Sequence, residues 1–173
     1  KISIWIFILP IIAINLCLFI SINYELLENT IFKVNEIGQS GFTIPYIDGS
    51  LSISRASRTY PSYLIFKPSM FITSILLIKY WIANNGLILS VTNDPNKYKY
   101  FMIFGIGSAI FLIIHAIFLG INFENDLFKF FRRFVLLSFI IFEVAAQTLL
   151  VIKIIKIKKK INLFINKKIL YLK

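Results

Sequence analysis

The sequence from Tyr100 to Ile121 reads YFMIFGIGSAIFLIIHAIFLGI and contains no Asp, Glu, Lys or Arg. A helix that crosses the hydrocarbon core of a bilayer needs about 20 largely apolar residues. This stretch meets that requirement, so we predict that it spans a membrane. The composition of the whole chain agrees, because 58% of its 173 residues are hydrophobic and 16% are charged. Soluble domains have about 25% charged residues and disordered chains have low hydrophobicity, so both classes are excluded.

Three further apolar stretches predict membrane spans, at about residues 2–21, 63–83 and 134–155. Together with 100–121 they predict an all-α membrane protein, a bundle of four transmembrane helices in a single polytopic domain over residues 1–173. The first span has an alternative interpretation as a signal peptide. Its apolar run is longer than the core of a typical signal peptide, and no small-x-small cleavage site follows Ser21. We therefore predict an uncleaved helix.

The basic residues predict the orientation of the chain. A basic tail at 156–173 follows the fourth span, and it contains no acidic residue. Of the 19 Lys and Arg residues, 12 fall in the segments assigned to the cytoplasm. Cytoplasmic segments carry an excess of Lys and Arg, so we expect both termini of this multi-pass protein to be cytoplasmic, in a bacterial inner membrane. Residues 22–62 then form a long extracytoplasmic loop, and the tail contacts anionic headgroups or is a frayed end.

No enzyme signature is present in the sequence. It contains no Gly-rich phosphate loop, no metalloprotease motif and no nucleophile elbow. With one His and one Cys, a metal site would need carboxylates from distant loops. We therefore predict no catalytic residue, no metal and no cofactor. The excess of Lys over Arg is typical of an AT-rich genome, and we expect no nucleic-acid partner.

Two ionisable residues stand out inside predicted spans, away from the span ends: His115 in the third and Glu143 in the fourth. Ionisable side chains in a membrane are costly, and they usually face the interior of a helix bundle and mark function. From the predicted span ends the two residues lie at a similar depth in the outer half of the bilayer, so we predict that they are in contact or share a cavity. Gln147 lies one turn below Glu143 on the same face. Either these residues face a ligand, or they form structural hydrogen bonds between helices.

The loop at 22–62 contains a second candidate site. Asp48, Ser52, Arg55 and Arg58 lie close together in a segment rich in serine, and guanidinium groups with hydroxyls suit a phosphate or an anionic headgroup. One helical turn would place Arg55 and Arg58 on one face. The interleaved apolar residues predict that this segment is folded against the bundle. The alternative is a solvated polar loop that rests on headgroups without selectivity.

Two short motifs carry a resemblance to a known family. The run PYIDG at 45–49, placed between the first and second spans, and the run AAQTLL at 145–150 resemble motifs of the DRAM-like family of multi-span proteins. That family includes autophagy modulators and the Golgi factor for lipid remodelling of GPI anchors. Typical members have six spans and a Ser between the Ile and Asp of the first motif, which Ile47-Asp48 lacks. The resemblance implies a lipid-associated function without established catalytic residues.

The sequence leaves three functional hypotheses open. The first is a non-catalytic membrane protein that binds or handles a lipid or small amphiphile from its extracytoplasmic side. The second is a small transporter or proton-coupled permease subunit, in which His115 and Glu143 relay protons. The third is a structural subunit that binds a partner membrane protein. Few intramembrane charges disfavour the second hypothesis, because ion pathways usually have a more polar lining.

Overall fold

The computed structural model describes residues 2–41, 47, 51–92, 100–121 and 125–157. The described residues form helices and contain no strand. Five α-helices have both ends within the described residues: α1 (Ile2–Ile22), α2 (Ile53–Arg58), α3 (Tyr63–Val91), α4 (Tyr100–Phe118) and α5 (Asp126–Lys156). All except α2 are long and apolar enough to span a membrane. The predicted all-α class with four membrane-length helices is confirmed, while Asp48 and the basic tail beyond residue 157 lie outside the described residues.

Two helices extend well beyond the predicted spans. α3 continues past residue 83 to Val91, and the Asn84 side chain donates a hydrogen bond to the Tyr80 carbonyl at 2.8 Å within it. α5 begins at Asp126, eight residues before the predicted start. There the Asn125 side chain caps the helix by accepting a hydrogen bond from the Leu127 amide at 3.1 Å. The spans were predicted from apolar composition, which marks the part of a helix that suits hydrocarbon, whereas capping groups determine where the helix itself begins.

The four long helices pack antiparallel in the order of the chain. α4 and α5 share the largest interface, followed by α1 with α3 and α3 with α4. No comparable interface joins α1 to α5 within the described residues. We define the upper end of the bundle as the end where α1 and α4 terminate and α3 and α5 begin. The first residue of α1 and the last residue of α5 therefore lie together at the lower end.

Two glycines let α4 lie very close to its neighbours. Gly105 packs against the ring of Trp81 in α3, and Gly107 packs against the ring of Phe142 in α5. A methyl group at either glycine would overlap the facing ring. Trp81 is fully buried. Small residues are common at interfaces between membrane helices, because they let the helix backbones approach closely.

The connection between α1 and α3 is not one continuous loop in its described part. It contains two 3-10 turns, Tyr24–Leu27 and Glu36–Gly38, followed by the short helix α2. Leu51 and Ala56 are buried in one hydrophobic cluster with side chains of α1, α3 and α4. The Tyr60 hydroxyl donates a hydrogen bond to the Ile31 carbonyl at 2.8 Å, which joins the two halves of the connection. The predicted docking of this segment is therefore confirmed for residues 51–58.

Candidate functional site

A cavity of about 730 Å³ opens at the upper end of the bundle, between α2, α4 and α5. Polar and apolar side chains share its wall: Ser54, Arg58, His115, Leu119, Ile121, Phe128, Lys129, Arg132, Arg133 and Leu136. We call this space the upper cavity.

Arg58 reaches the upper cavity because the C-terminal ends of helices α2 and α4 lie side by side. Arg58 is the last residue of α2, and its carbonyl oxygen lies against Gly120, just beyond the end of α4. Gly120 has a φ of 83°, the left-handed conformation that commonly ends a helix and that glycine adopts without steric cost. A Cβ at Gly120 would lie 3.1 Å from the Arg58 carbonyl oxygen. The absent side chain thus lets the half-buried Arg58 approach α4.

The opposite wall of the cavity is the first two turns of α5. The Arg132 guanidinium lies over the ring of Phe128, 5.7 Å from the ring centroid. The Lys129 ammonium forms an ion pair with Asp126, with 2.8 Å between Nζ and Oδ1. Arg133 lines the same wall and is exposed. One of the three cations on this wall is therefore neutralised by a neighbouring carboxylate.

The charge of the upper cavity is strongly one-sided. Among the residues that the structure describes, its lining includes four cationic residues, Arg58, Lys129, Arg132 and Arg133, and no acidic one. Within the described ranges, the three guanidinium groups form no ion pair with a carboxylate. Guanidinium groups bind carboxylates and phosphates through paired hydrogen bonds, and gathered like charges favour a counter-ion. The arrangement suits the binding of an anion, with apolar surface from Leu119 and Leu136 beside it.

His115 lines the upper cavity, but it does not meet Glu143. No hydrogen bond or ion pair joins the two side chains in the part of the chain that the structure describes, and Glu143 is not among the lining residues. Glu143 instead lies opposite Ser108, seven residues before His115, which corresponds to about 10 Å along α4. The predicted contact is not formed because the pairing of α4 with α5 places Ser108, and not His115, opposite Glu143.

Glu143 belongs to a separate polar cluster between α4 and α5. Ser108 Oγ donates to Glu143 Oε2 at 2.7 Å, and Gln147 Nε2 donates to Glu143 Oε1 at 3.0 Å. Ser108 Oγ also lies 2.8 Å from the Gly105 carbonyl oxygen. The predicted placement of Gln147 beside Glu143 is confirmed. These contacts match the interpretation of the cluster as structural hydrogen bonds between helices.

The remaining loop candidates lie outside the cavity wall. Arg55 is exposed and is not a lining residue, although it lies one helical turn from Arg58. Ser52 Oγ accepts a hydrogen bond from the Arg55 amide at 3.2 Å and thereby caps α2. Asp48 lies outside the described residues. Of the predicted residues that the structure describes, Arg58 and His115 line the upper cavity, while Glu143 and Gln147 lie together in the separate polar cluster.

Sequence reasoning missed the contribution of α5 to the site. Lys129, Arg132 and Arg133 fall in a stretch that was predicted to be a short connection, so they had no reason to face Arg58. The available signal was the run Phe130-Phe131-Arg132-Arg133, since aromatic and cationic residues together are typical of a membrane interface. Within the described residues, no group of three His, Cys, Asp or Glu side chains is placed to hold a metal ion.

Comparison with known protein families, curated proteins and solved structures found no match. The chain is therefore characterised by its own architecture, an all-helical protein with four helices that are long and apolar enough to span a membrane. Its similarity to DRAM-like motifs stays a prediction from the sequence.

Proposed function

We propose that this protein is a non-catalytic integral membrane protein that binds a lipid or small amphiphile through an anionic headgroup held in the upper cavity. One observation carries the proposal: four cationic side chains from α2 and α5 converge on a cavity whose described lining contains no acidic residue. The leucines of the same wall, Leu119 and Leu136, offer apolar surface to the adjoining part of an amphiphile.

The position of the cavity along the helices supports a headgroup as the ligand. α4 has 19 residues, which corresponds to about 28 Å and matches a hydrocarbon core of about 30 Å. His115 lies three residues before the end of α4, so the cavity lies at the level where the core gives way to headgroups. Phe130 and Phe134 are exposed on α5 at this level, as is common for aromatic residues at an interface.

The distribution of basic residues supports an extracytoplasmic position for the cavity. Ile2, the first residue of α1, and Lys156, the last residue of α5, both lie at the lower end of the bundle. The Lys-rich sequence that follows Lys156 would place that end in the cytoplasm. Single-cysteine labelling in a Cys17→Ser background tests this orientation. An impermeant maleimide should label Ile31→Cys from outside intact cells and should not label Asn166→Cys. The reverse pattern would refute the orientation.

The binding proposal is tested by a matched pair of arginine variants. Arg58→Ala and Arg55→Ala remove the same charge from the same short helix, but only Arg58 lines the cavity. Each variant is purified in mild detergent, and the co-purified anionic lipids are quantified by mass spectrometry. We expect Arg58→Ala to lose most of the anionic lipid and Arg55→Ala to resemble the wild type.

The conservative variant strengthens the test. Arg58→Lys should restore part of the lipid, because an ammonium keeps the charge but lacks the two-pronged donor geometry of a guanidinium. Equal lipid content in the Arg58→Ala and Arg55→Ala proteins, with both folded, would refute the binding proposal. Folding is checked by circular dichroism and by the elution volume in size-exclusion chromatography.

A further inference from the structure

The described lining of the upper cavity carries more positive charge than a singly charged headgroup can balance. Lys129 is already paired with Asp126, whereas Arg58, Arg132 and Arg133 have no carboxylate partner within the described ranges. Three guanidinium groups present up to fifteen N–H donors, and each group pairs best with two acceptor oxygens. A carboxylate or a phosphodiester offers one negative charge and two unsubstituted oxygens, which leaves much of this donor capacity unused.

We propose that the headgroup bound in the upper cavity is a phosphomonoester, and this inference rests on the proposed function. A phosphomonoester carries a charge of about −1.5 to −2 near neutral pH and has three strong acceptor oxygens. Its negative charge and its acceptor oxygens therefore match the positive charge and the N–H donors of three guanidinium groups better than those of any singly charged headgroup do. The ligand class is therefore a phosphatidate-like or polyprenyl-phosphate-like amphiphile.

The placement of the guanidinium groups favours a compact, multiply charged group between them. Arg58 approaches from α2 on one side of the cavity, and Arg132 and Arg133 approach from α5 on another. The Arg58 carbonyl oxygen lies close to Gly120, just beyond the end of α4, and the Arg132 guanidinium lies over the ring of Phe128. The contact with Phe128 restricts the Arg132 side chain, which reduces the entropy that binding would otherwise cost. His115, on α4, adds ring nitrogens to the same wall.

The apolar part of the wall favours an amphiphile over a free phosphate ester. Leu136 lines the cavity, and it is followed along α5 by the exposed apolar side chains of Leu137, Ile140 and Ile141. A hydrocarbon chain attached to the headgroup would therefore leave the cavity along an apolar helix surface. A soluble phosphate ester would gain nothing from that surface.

The test compares two lipids that differ by one methyl group. Wild-type protein in phosphatidylcholine nanodiscs is titrated with short-chain phosphatidic acid and with the corresponding phosphatidylmethanol, in which methylation removes one charge. We expect phosphatidic acid to bind about tenfold more tightly, a difference of about 1.4 kcal/mol. Arg133→Ala should reduce this ratio, because it removes one cation from the wall, and Arg55→Ala should leave it unchanged. Glycerol 3-phosphate and inorganic phosphate serve as soluble probes.

Each outcome separates this inference from the proposed function. If both lipids bind equally and Arg58→Ala weakens both, the phosphomonoester inference is overturned while the anionic-lipid proposal stands. If Arg58→Ala weakens neither lipid, both proposals are overturned. If glycerol 3-phosphate binds as tightly as phosphatidic acid, the hydrocarbon chain contributes nothing to binding, and the proposal that the ligand is an amphiphile is overturned. A tenfold preference that depends on Arg133 but not on Arg55 supports the inference.

Discussion

Replacing Gly105 by alanine should destabilise the protein through a steric clash with Trp81. A Cβ at residue 105 would overlap the indole ring, and Trp81 is fully buried, so the ring has little room to move. Overpacking of this kind typically costs about 1–3 kcal/mol. Alanine also gains up to about 1 kcal/mol over glycine in helix propensity, which partly offsets the clash.

Gly86→Ala is the matched control for this variant. Gly86 lies inside α3, and a Cβ at that position would meet nothing within 4 Å. This variant therefore gains the propensity term without the clash, so the difference in unfolding free energy between the two variants isolates the steric cost of about 1–3 kcal/mol. Unfolding is followed by circular dichroism during denaturant titration in mixed micelles.

A second substitution tests whether Trp81 causes the loss. In a Trp81→Phe background the smaller ring leaves space for the new methyl group, so Gly105→Ala should cost less there than in the wild type. The double-mutant cycle should show a coupling of at least about 0.5 kcal/mol, as expected for residues in contact. If Gly105→Ala is as stable as Gly86→Ala, α4 does not approach α3 closely enough at residue 105 for a methyl group to clash with Trp81.

Three further predictions concern the polar cluster, the end of α4 and the start of α5. Ser108→Ala and Glu143→Ala should be non-additive in unfolding free energy by about 0.6–1.7 kcal/mol, because the two side chains share a hydrogen bond, whereas His115→Ala and Glu143→Ala should add. Gly120→Ala should destabilise by about 1 kcal/mol because of its left-handed φ, and it should also weaken the binding of phosphatidic acid by displacing Arg58. Asn125→Ala should lower thermal stability by about 1 kcal/mol through loss of the helix cap, and an unchanged melting temperature would contradict the start of α5 at Asp126.

The class of the fold was predictable because it depends on apolar composition over long stretches. The uncharged run at 100–121 suffices to identify a membrane-length helix, and α4 occupies most of it. The helix ends were not predictable in the same way, because Asn125 acts through a local hydrogen bond that hydropathy does not register. The pairing of α4 with α5, which places Glu143 opposite Ser108, is equally absent from hydropathy, so the predicted contact with His115 is not formed.

The site was predictable only in part because it joins segments that are distant in sequence. Arg58 could be chosen from the sequence for its chemistry, but so could Arg55. What distinguishes the two arginines is which side of α2 faces Gly120. The contribution of Arg132 required the relative position of α2 and α5, which no local pattern contains. Composition therefore predicted an anionic ligand, whereas the set of residues that lines the upper cavity became visible only from the packing of the helices.

The chain-order packing of the long helices has a consequence for biogenesis. Each long helix has its principal interface with the helix next to it in sequence, so most tertiary contacts are available as soon as the next helix emerges from the ribosome. Folding with mainly local contacts is fast, and domains form progressively from the N-terminus during synthesis. The α1–α3 pair can therefore assemble before α4 is translated, whereas the upper cavity, which needs α2, α4 and α5 together, is completed only when the last helix has been inserted.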